Sequence, residues 1–241
     1  MPATPHSTCG RRSPRAGRTP TQRADRPRGG DRRHTVKLPR SFYRRPTLEV
    51  AADLLGKVLV HRHRGVVTSG VIVEVEAYIG ESDPACHAAV GRTERNSPLY
   101  GPPGRAYVYL NYGIHCLVNV VTEPEPFPAA VLLRALDPLE GIDLMRRRRA
   151  RGRKGRRPRG SSRMSSHELC RGPGNLTRAM GITLQENWLD FMGDRLFIED
   201  RQIVAPNVVW DRRIGISVGT ELPWRAYLEA HPAVSQLRSK A

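Results

Sequence analysis

The chain has 241 residues, 39% of them hydrophobic, and a formal net charge of +17. This apolar content suffices for a substantial core, but no segment approaches the roughly 20 consecutive apolar residues of a membrane span. The N-terminus lacks the apolar stretch of a secretory signal, and the four cysteines follow neither a zinc-binding nor a disulfide pattern. Composition therefore disfavours membrane, exported and disulfide-stabilised proteins.

The positive charge is concentrated in two segments. Residues 1–40 hold eleven Lys or Arg against two Asp, and residues 146–163 hold eleven basic residues and no acid. The rest of the chain is close to neutral. Because both segments are poor in apolar residues, we expect a flexible tail at 1–37 and a flexible Arg-rich loop at 146–163. Between this tail and a short tail at 236–241, residues 38–235 are expected to form one domain.

The basic segments have three interpretations. The favoured one is a pair of arms that bind DNA phosphates, because concentrated charge beside a neutral core is typical of nucleic-acid-binding proteins. A solvated tail and loop of arginine-rich composition is the simpler interpretation. Residues 1–37, which are rich in Arg and poor in acid, also have features of an organellar transit peptide.

The first elements expected along the chain are a helix and a hairpin. The pattern predicts a helix from Leu48 to Leu55 with Thr47 as its N-cap. A strand from Lys57 then turns at "RHRG" and returns as a second strand over Val66–Tyr78. Together the two strands are expected to form an antiparallel hairpin.

A second hairpin is expected over Tyr107–Asn111 and Ile114–Val121, with its turn at Tyr112 and Gly113. The later elements are a strand in "PAAVLLRAL", a helix from Pro138, a short helix over Asn175–Met180, and strands in "RLFIED" and "RIGISV". Strands joined by hairpins, with helices at the edge, indicate an α+β fold. The expected fold is a single domain with a curved antiparallel β-sheet, peripheral helices and a protruding β-hairpin.

The stretch "VIVEVEAYIGESDPACHAA" carries acidic residues on a strand that otherwise looks buried. Alternate residues of a strand share a face, so Glu74, Glu76 and Tyr78 point the same way. They are either the solvent face of an edge strand or the wall of a pocket, and the tyrosine favours a pocket. The residues alone do not choose between the two glutamates.

Further aromatic and polar residues follow on the second hairpin and the next strand. Tyr107 and Tyr109 share a face, and Asn119 and Arg134 come after them. Strand tyrosines taken alone are more often packing residues. Combined with the acidic strand, however, the set suits a site for a flat, nitrogen-rich ring.

Five blocks in a fixed order give the chain a specific resemblance. They are "EVEAYIGESDPACHAA", "GPPGRAYVYLNYGIHCLVNVV", "VLLRALDPLEG", "ELCRGPGNLTRAMGI" and "PWRAYL", within residues 40–235. Together they resemble the alkyladenine (3-methyladenine) DNA glycosylase family of the mammalian type. The resemblance implies an enzyme that flips an alkylated or deaminated purine out of double-stranded DNA, hydrolyses its N-glycosidic bond and leaves an abasic site.

The resemblance also implies roles for the catalytic and stacking residues. Glu76 corresponds to the general base that activates water, and Arg134 to the residue that holds this water and the adjacent phosphate. Tyr78 corresponds to the side chain that stacks on one face of the flipped base. His87 and Tyr109 correspond to the pair that stacks on the other face.

Other positions match family residues that select the base and distort the DNA. Asn119 corresponds to the residue whose bulk disfavours the exocyclic amine of guanine, and the backbone at Ala85 and His87 to the part that contacts the base edge. Tyr112, at the hairpin tip, corresponds to the wedge that replaces the flipped nucleotide. Beside it, Asn111 and His115 are more polar than in better-known members.

Alternatives remain at this stage. A glycosylase with lyase activity needs an amine nucleophile, and Lys57 is the only lysine of the expected core before the Arg-rich loop. A non-catalytic binder of damaged DNA is disfavoured because Glu76 and Arg134 are both present. Cys86 beside His87 lacks further ligands at metal-site spacing, and nucleotide-binding glycine motifs are absent, so we expect no metal and no cofactor. A monomer in the bacterial cytoplasm, associated with the nucleoid, is the simplest expectation; in a eukaryote the location would be nuclear or organellar.

Overall fold

A computed structural model describes residues 35–151 and 164–235. The strands are β1 (Val36–Lys37), β2 (Val58–His63), β3 (Val66–Ile79), β4 (Ala106–Asn111), β5 (His115–Val121), β6 (Ala129–Glu140), β7 (Leu196–Asp200), β8 (Val208–Asp211) and β9 (Arg225–Leu228). The α-helices are α1 (Arg40–Tyr43), α2 (Thr47–Leu54), α3 (Ile142–Ala150) and α4 (Pro173–Met180). Short 3₁₀ helices lie at His87–Val90, Ser97–Tyr100, Ser166–Glu168 and Leu184–Glu186.

The nine described strands form one antiparallel sheet. Seven follow the order β1-β7-β2-β3-β6-β5-β4, while β9 pairs with β3 and β8 pairs with β9. With four α-helices packed around this sheet, the expected α+β class and antiparallel architecture are confirmed. None of the helices in the described ranges is long and apolar enough to cross a membrane.

Both expected hairpins are present, and their turns share one backbone geometry. Arg64 and Gly65 connect β2 to β3 with φ values of 50° and 74°, and Tyr112 and Gly113, followed by Ile114, connect β4 to β5 with φ values of 48° and 65°. Two successive left-handed residues match the twist of the flanking strands. Glycine adopts this conformation readily, whereas a bulky residue such as Tyr112 does so at an energetic cost.

The central strand β3 has neighbours on both sides. It pairs with β6 over most of its length, and on its other side with β2 first and with β9 at residues 74–76. The register with β6 shifts around Glu74, where irregular pairing bends the strand. The acidic residues therefore lie inside the sheet, and the interpretation of β3 as an edge strand is wrong.

The main core lies between the sheet and the helices packed on it. Helix α2 buries Val50 and Leu54, and α4 buries Leu176 and Met180. These side chains join valines and leucines of the central strands in one cluster, while a smaller cluster surrounds Tyr107. The smaller cluster matters for function because it supports the aromatic residues of the site.

Three local predictions are wrong. Thr47 is not an N-cap but the first residue of α2, and its hydroxyl contacts Thr122 at 2.9 Å and Glu123 at 2.8 Å. Pro138 does not begin a helix: it stays in β6, next to a register shift where its missing N–H is tolerated. The helix begins only after Gly141, whose φ is 75°.

The third wrong prediction is the strand in "RIGISV", residues 213–218. That segment forms bends instead of a strand, although its alternating pattern resembles one. The Arg213 side chain is buried in an ion pair, and the Ile214 amide donates to a carboxylate rather than to a neighbouring strand. The late strands of the fold are β8 and β9, on either side of this segment.

The ends of the basic segments are more ordered than expected. Val36 and Lys37 pair with β7, so the sheet begins before residue 38. Helix α3 extends to Ala150, so the first residues of the expected loop at 146–163 are helical. Residues 1–34, 152–163 and 236–241 lie outside the described residues, and what the sequence predicts for them stays a prediction.

Candidate active site

Two buried glutamates of β3 share one buried arginine. Arg134, on the neighbouring strand β6, donates from Nε to Glu74 Oε1 and from Nη1 to Glu76 Oε2, at 3.0 Å each. Burial opposes a charge on Arg134, but Glu76 and Glu74 outweigh this and raise the pKa of its guanidinium. A buried charge needs partners of this kind, so the three side chains form one unit.

Glu74 is saturated by other protein groups. Besides Arg134, its carboxylate accepts from Arg225 Nη1 at 3.0 Å, from the Ser235 hydroxyl at 2.9 Å and from the Ser235 amide at 2.7 Å. Four donors use the accepting capacity of a carboxylate nearly completely. Glu74 therefore anchors β6, β9 and the segment around Ser235 to the central strand.

Glu76 has a different set of neighbours. Its Oε2 accepts from the Tyr78 hydroxyl at 2.9 Å as well as from Arg134, and its Oε1 accepts from the Ile214 amide at 2.7 Å. Glu76 has no accessible surface, but all three of these partners line the same cavity. The structure thus distinguishes the two glutamates, which the sequence pattern could not do.

The cavity has a volume of about 420 Å³. This volume is within the range typical of sites for small planar molecules. The cavity is lined by seven of the eight residues predicted for the site, all except Glu76: Tyr78, Ala85, His87, Tyr109, Tyr112, Asn119 and Arg134. The fold therefore brings the predicted residues together from β3, β4, β5, β6 and the loop after β3.

Aromatic rings form one side of the cavity. The His87 ring lies 4.4 Å from the Tyr109 ring, centre to centre, and Tyr109 lies 5.3 Å from Tyr107. His87 Nδ1 is 2.7 Å from the Tyr107 hydroxyl, which fixes the orientation of the imidazole. Burial and the nearby Arg95 cation lower the pKa of His87, so the ring is neutral at physiological pH.

The tyrosine hydroxyls of the cavity remain protonated. Burial raises the pKa of Tyr78, and the contact with Glu76 raises it further. Burial also raises the pKa of Tyr109 to about 12. Tyr78 and Tyr109 thus present neutral aromatic faces, which attract electron-poor or cationic rings.

Two polar positions of the cavity are held by local hydrogen bonds. Asn119, on β5, donates from its side-chain amide to the Tyr107 carbonyl at 3.0 Å and is almost fully buried. The Ala85 amide donates to Asp83 Oδ1 at 3.0 Å, and the His87 carbonyl accepts from Asn96 at 2.8 Å. These internal contacts fix the backbone at Ala85 and His87, both of which line the cavity.

Arg213 is a site residue that the sequence analysis missed. It forms two hydrogen bonds with Asp83, at 2.6 and 2.8 Å, and its guanidinium lies 4.7 Å from the centre of the Tyr78 ring. This cation supports the ring that lines the cavity and also fixes the loop after β3. The segment was read as a strand, so nothing in the local pattern pointed to this contact.

The β4–β5 hairpin protrudes at the rim of the cavity. Tyr112, at its tip, is 85% exposed, in contrast to Tyr107, which is buried. Arg95 donates to the Leu110 carbonyl at 3.1 Å and supports the strand that leads to the tip. The hairpin therefore holds one large aromatic side chain in solvent, next to the cavity.

Neither Cys86 nor Lys57 has the environment of a reactive residue. Cys86 is buried, and burial raises the pKa of its thiol to about 11. Lys57 pairs with Asp200 at 2.6 Å, on the other side of the central strand from β6, and does not line the cavity. Within the part of the chain that the structure describes, the cavity lining contains no amine for Schiff-base chemistry.

Comparison with known proteins first identifies the class, which is that of the DNA glycosylases. Residues 41–232 match the family described as methylpurine-DNA glycosylase (MPG). The chain belongs to this family, and it is accordingly a monofunctional hydrolase of DNA repair whose substrate is DNA.

Relatives from several microbial groups agree with this assignment. A protein of Chlorobium phaeobacteroides (strain BS1) is 46% identical over 194 residues, which cover 80% of this chain and 92% of the relative. A protein of Chlorobaculum parvum is 43% identical over 204 residues, covering 84% and 92%. One of Methanocella arvoryzae is 46% identical over 203 residues, covering 83% and 96%. Each carries the name "Putative 3-methyladenine DNA glycosylase".

Proposed function

We propose that this glycosylase removes alkylated or deaminated purines, of the 3-methyladenine, 7-methylguanine, ethenoadenine and hypoxanthine class, from double-stranded DNA. The damaged nucleotide is flipped out of the helix, and hydrolysis of its N-glycosidic bond leaves an abasic site. The observation that carries the proposal is the Glu76 carboxylate, bound by three groups that line an aromatic cavity. The names of the relatives support 3-methyladenine as one substrate.

Flipping is a chemical necessity, because the glycosidic bond of a stacked nucleotide is inaccessible to a buried carboxylate. The cavity of about 420 Å³ suits a single purine. In this proposal Tyr112 enters the DNA and fills the gap left by the flipped nucleotide. Its 85% exposure in the free protein means that it can make this contact without disturbing the core.

The purine is then held between Tyr78 on one face and His87 and Tyr109 on the other. Base stacking on an aromatic side chain contributes about 1–3 kcal/mol. The lowered pKa of His87 matters here, because a neutral imidazole does not repel a cationic alkylated purine. The Ala85 carbonyl and the His87 amide offer one acceptor and one donor to the base edge. Asn119 disfavours the exocyclic amine of guanine, which selects against undamaged guanine, whereas the positive charge of 7-methylguanine favours its stacking on the aromatic rings.

For hydrolysis, Glu76 accepts a proton from a water molecule that attacks the sugar, and its negative charge stabilises the positive charge that develops there. Glu76 accepts three hydrogen bonds, one fewer than Glu74, but it has no accessible surface, so a neighbouring group has to move before water can reach it. The Tyr78 hydroxyl is the partner best able to give way, because Tyr78 is half-buried, whereas Arg134 is also bound to Glu74 and the Ile214 donor belongs to the backbone. Arg134 keeps the carboxylate oriented and faces the adjacent phosphate.

The proposal is tested with duplexes that contain one 3-methyladenine, ethenoadenine or hypoxanthine. We expect strand breaks only after alkali treatment, because the enzyme leaves an abasic site, and we expect the protein to act as a monomer. Breaks without alkali would indicate a lyase activity. A lack of product on all of these lesions, despite tight binding to them, would contradict the proposed substrate class and favour a role in damage recognition.

A further inference from the structure

A second cluster of reactive side chains lies away from the cavity, between β2 and the 3₁₀ helix Leu184–Glu186. His61 and His63 are alternate residues of β2, so their rings share a face of the sheet. Their ring centres are 5.9 Å apart. Glu186 completes the cluster, and the nearest ligand atoms of the three side chains all lie within 4.8 Å of one another.

His61 is buried, and one of its ring nitrogens has no hydrogen-bond partner. Its Nδ1 lies 2.9 Å from the Met180 carbonyl, which can only accept, so Nδ1 carries the proton in the neutral ring. The Nε2 lone pair then points toward Glu186, and the distance of 3.6 Å to Glu186 Oε1 is too long for a hydrogen bond. An imidazole fixed by a backbone carbonyl, with its other nitrogen free, has the arrangement of a metal ligand.

We propose that His61, His63 and Glu186 bind a divalent metal ion of the zinc class. Two imidazoles, one carboxylate and one water form a common tetrahedral ligand set for Zn²⁺, in which neighbouring ligand atoms are roughly 3.4 Å apart. The separation of 3.6 Å between His61 and Glu186 already matches this value. His63, which is only partly buried, has to move closer to the other two ligands to complete the site.

Arg195 competes with the metal for the same carboxylate. Its guanidinium donates to Glu186 Oε1, the atom that faces His61, whereas Glu186 Oε2 is occupied by the amide and hydroxyl of Thr183 at 2.7 and 2.9 Å. The Arg195 side chain is 37% exposed, so it can swing into solvent. Metal binding thus exchanges one cation for another at a carboxylate that is already in place.

The consequence of metal binding is structural, because Glu186 belongs to the segment that supports the aromatic wall of the cavity. The Asn187 side chain accepts from the Val108 amide at 2.9 Å, and the Trp188 amide donates to the Ala106 carbonyl at 2.8 Å. A metal ion at Glu186 would clamp this segment, and β4 with it, to β2. This proposal differs from the expectation of a metal-free protein. That expectation rested on the spacing of possible ligands around Cys86, whereas His61 and His63 meet Glu186 only in the folded chain.

The test uses the full chain, stripped of metal by a chelator and titrated with Zn²⁺ against a chromophoric chelator. At about one hundred times its Kd, Zn²⁺ should raise the thermal midpoint by about 5–10 °C. The expected Co²⁺ spectrum is that of a tetrahedral complex. His63→Gln should raise the Kd for Zn²⁺ at least about tenfold. The matched control is His167→Gln, which changes a half-exposed histidine paired with Asp137 at 2.8 Å and should leave the Kd unchanged.

The variant Arg195→Gln distinguishes a metal site from a cluster that is held together only by ion pairs. Removal of the competing cation should lower the Kd for Zn²⁺ several-fold, although the metal-free variant is less stable than the parent. Zn²⁺ affinity that is equal in the parent, His63→Gln and Arg195→Gln proteins would overturn the proposal. So would the absence of a thermal shift at millimolar Zn²⁺, and either result would make the cluster an ion pair that joins two elements.

Discussion

Glu74 and Glu76 lie on the same face of β3 and share Arg134, but they differ in every other partner. Glu74 is bound by Arg225 and Ser235, which tie separate parts of the chain together. Glu76 is bound by Tyr78 and Ile214, which line the cavity. The surroundings of a buried carboxylate, rather than its position in a motif, thus decide whether it acts as an anchor or is available for chemistry.

Glu76→Gln tests the chemical half of this comparison and should have the largest effect. The amide keeps the shape of the side chain but cannot accept a proton from water, so single-turnover excision should fall by about 10²–10⁴-fold. Binding to a lesion-containing duplex should be retained. Excision close to that of the parent protein would remove Glu76 as the general base.

Glu74→Gln tests the structural half. The amide group would face donors from Ser235 or Arg225, which leaves buried charges short of a partner, so the free energy of unfolding should fall by about 3 kcal/mol. Excision by the folded variant should fall much less than in Glu76→Gln. Chemical denaturation and single-turnover kinetics on both variants give the comparison directly, and a reversed order of the two rates would exchange the proposed roles.

The pH dependence of excision tests the neutral state of His87. The pKa of His87 is lowered in the folded protein, so the ring is neutral above the ordinary histidine value of about 6.5 and becomes charged only as the pH falls below it. Binding of a cationic lesion such as 7-methylguanine should weaken several-fold in that acid range. Hypoxanthine, which is neutral, should be affected less, and the difference between the two lesions should disappear in His87→Asn.

Tyr112→Ser tests the exposed rim against the buried pocket. Because Tyr112 is exposed and adopts a left-handed conformation, its removal should leave the thermal midpoint nearly unchanged. The flipped population, reported by 2-aminopurine beside the lesion, should decrease. A mismatch or gap opposite the lesion lowers the cost of flipping and should restore most of the loss. Strong destabilisation of the variant would mean that Tyr112 is a packing residue.

Substitution of arginines in helix α3 should have the smallest effect on DNA binding. The same helix also supplies a control, because only two of its four arginines are exposed. Arg146 and Arg147 are exposed, whereas Arg148 and Arg149 donate to backbone carbonyls of Ala179 and Leu169, respectively. Gln at both exposed positions should weaken binding to damaged and undamaged DNA alike and reduce its salt dependence, without loss of stability. Gln at the other two positions should lower the thermal midpoint. Equal stability of the two double variants would argue against this division of the helix.

The sequence predicted what depends on local patterns. Turn residues such as Gly65 and Gly113 defined both hairpins, and period-two alternation defined the face shared by Glu76 and Tyr78. Long-range contacts were not predictable in this way, because Arg213, Ile214 and Ser235 reach β3 only through the fold. The alternation in "RIGISV" was misleading for the same reason: its backbone serves the Glu76 carboxylate instead of a sheet.

The contact between Ser235 and Glu74 has a consequence for how the folded state forms. Ser235 lies 161 residues after Glu74 in the sequence, so two of the four donors to Glu74 depend on the closure of a very long chain segment. Until this contact forms, Glu74 lacks both donors. The arginine shared with Glu76 is then held by an incomplete network. Because contacts of such long sequence separation form slowly, we expect the surroundings of Glu76 to be completed late in folding.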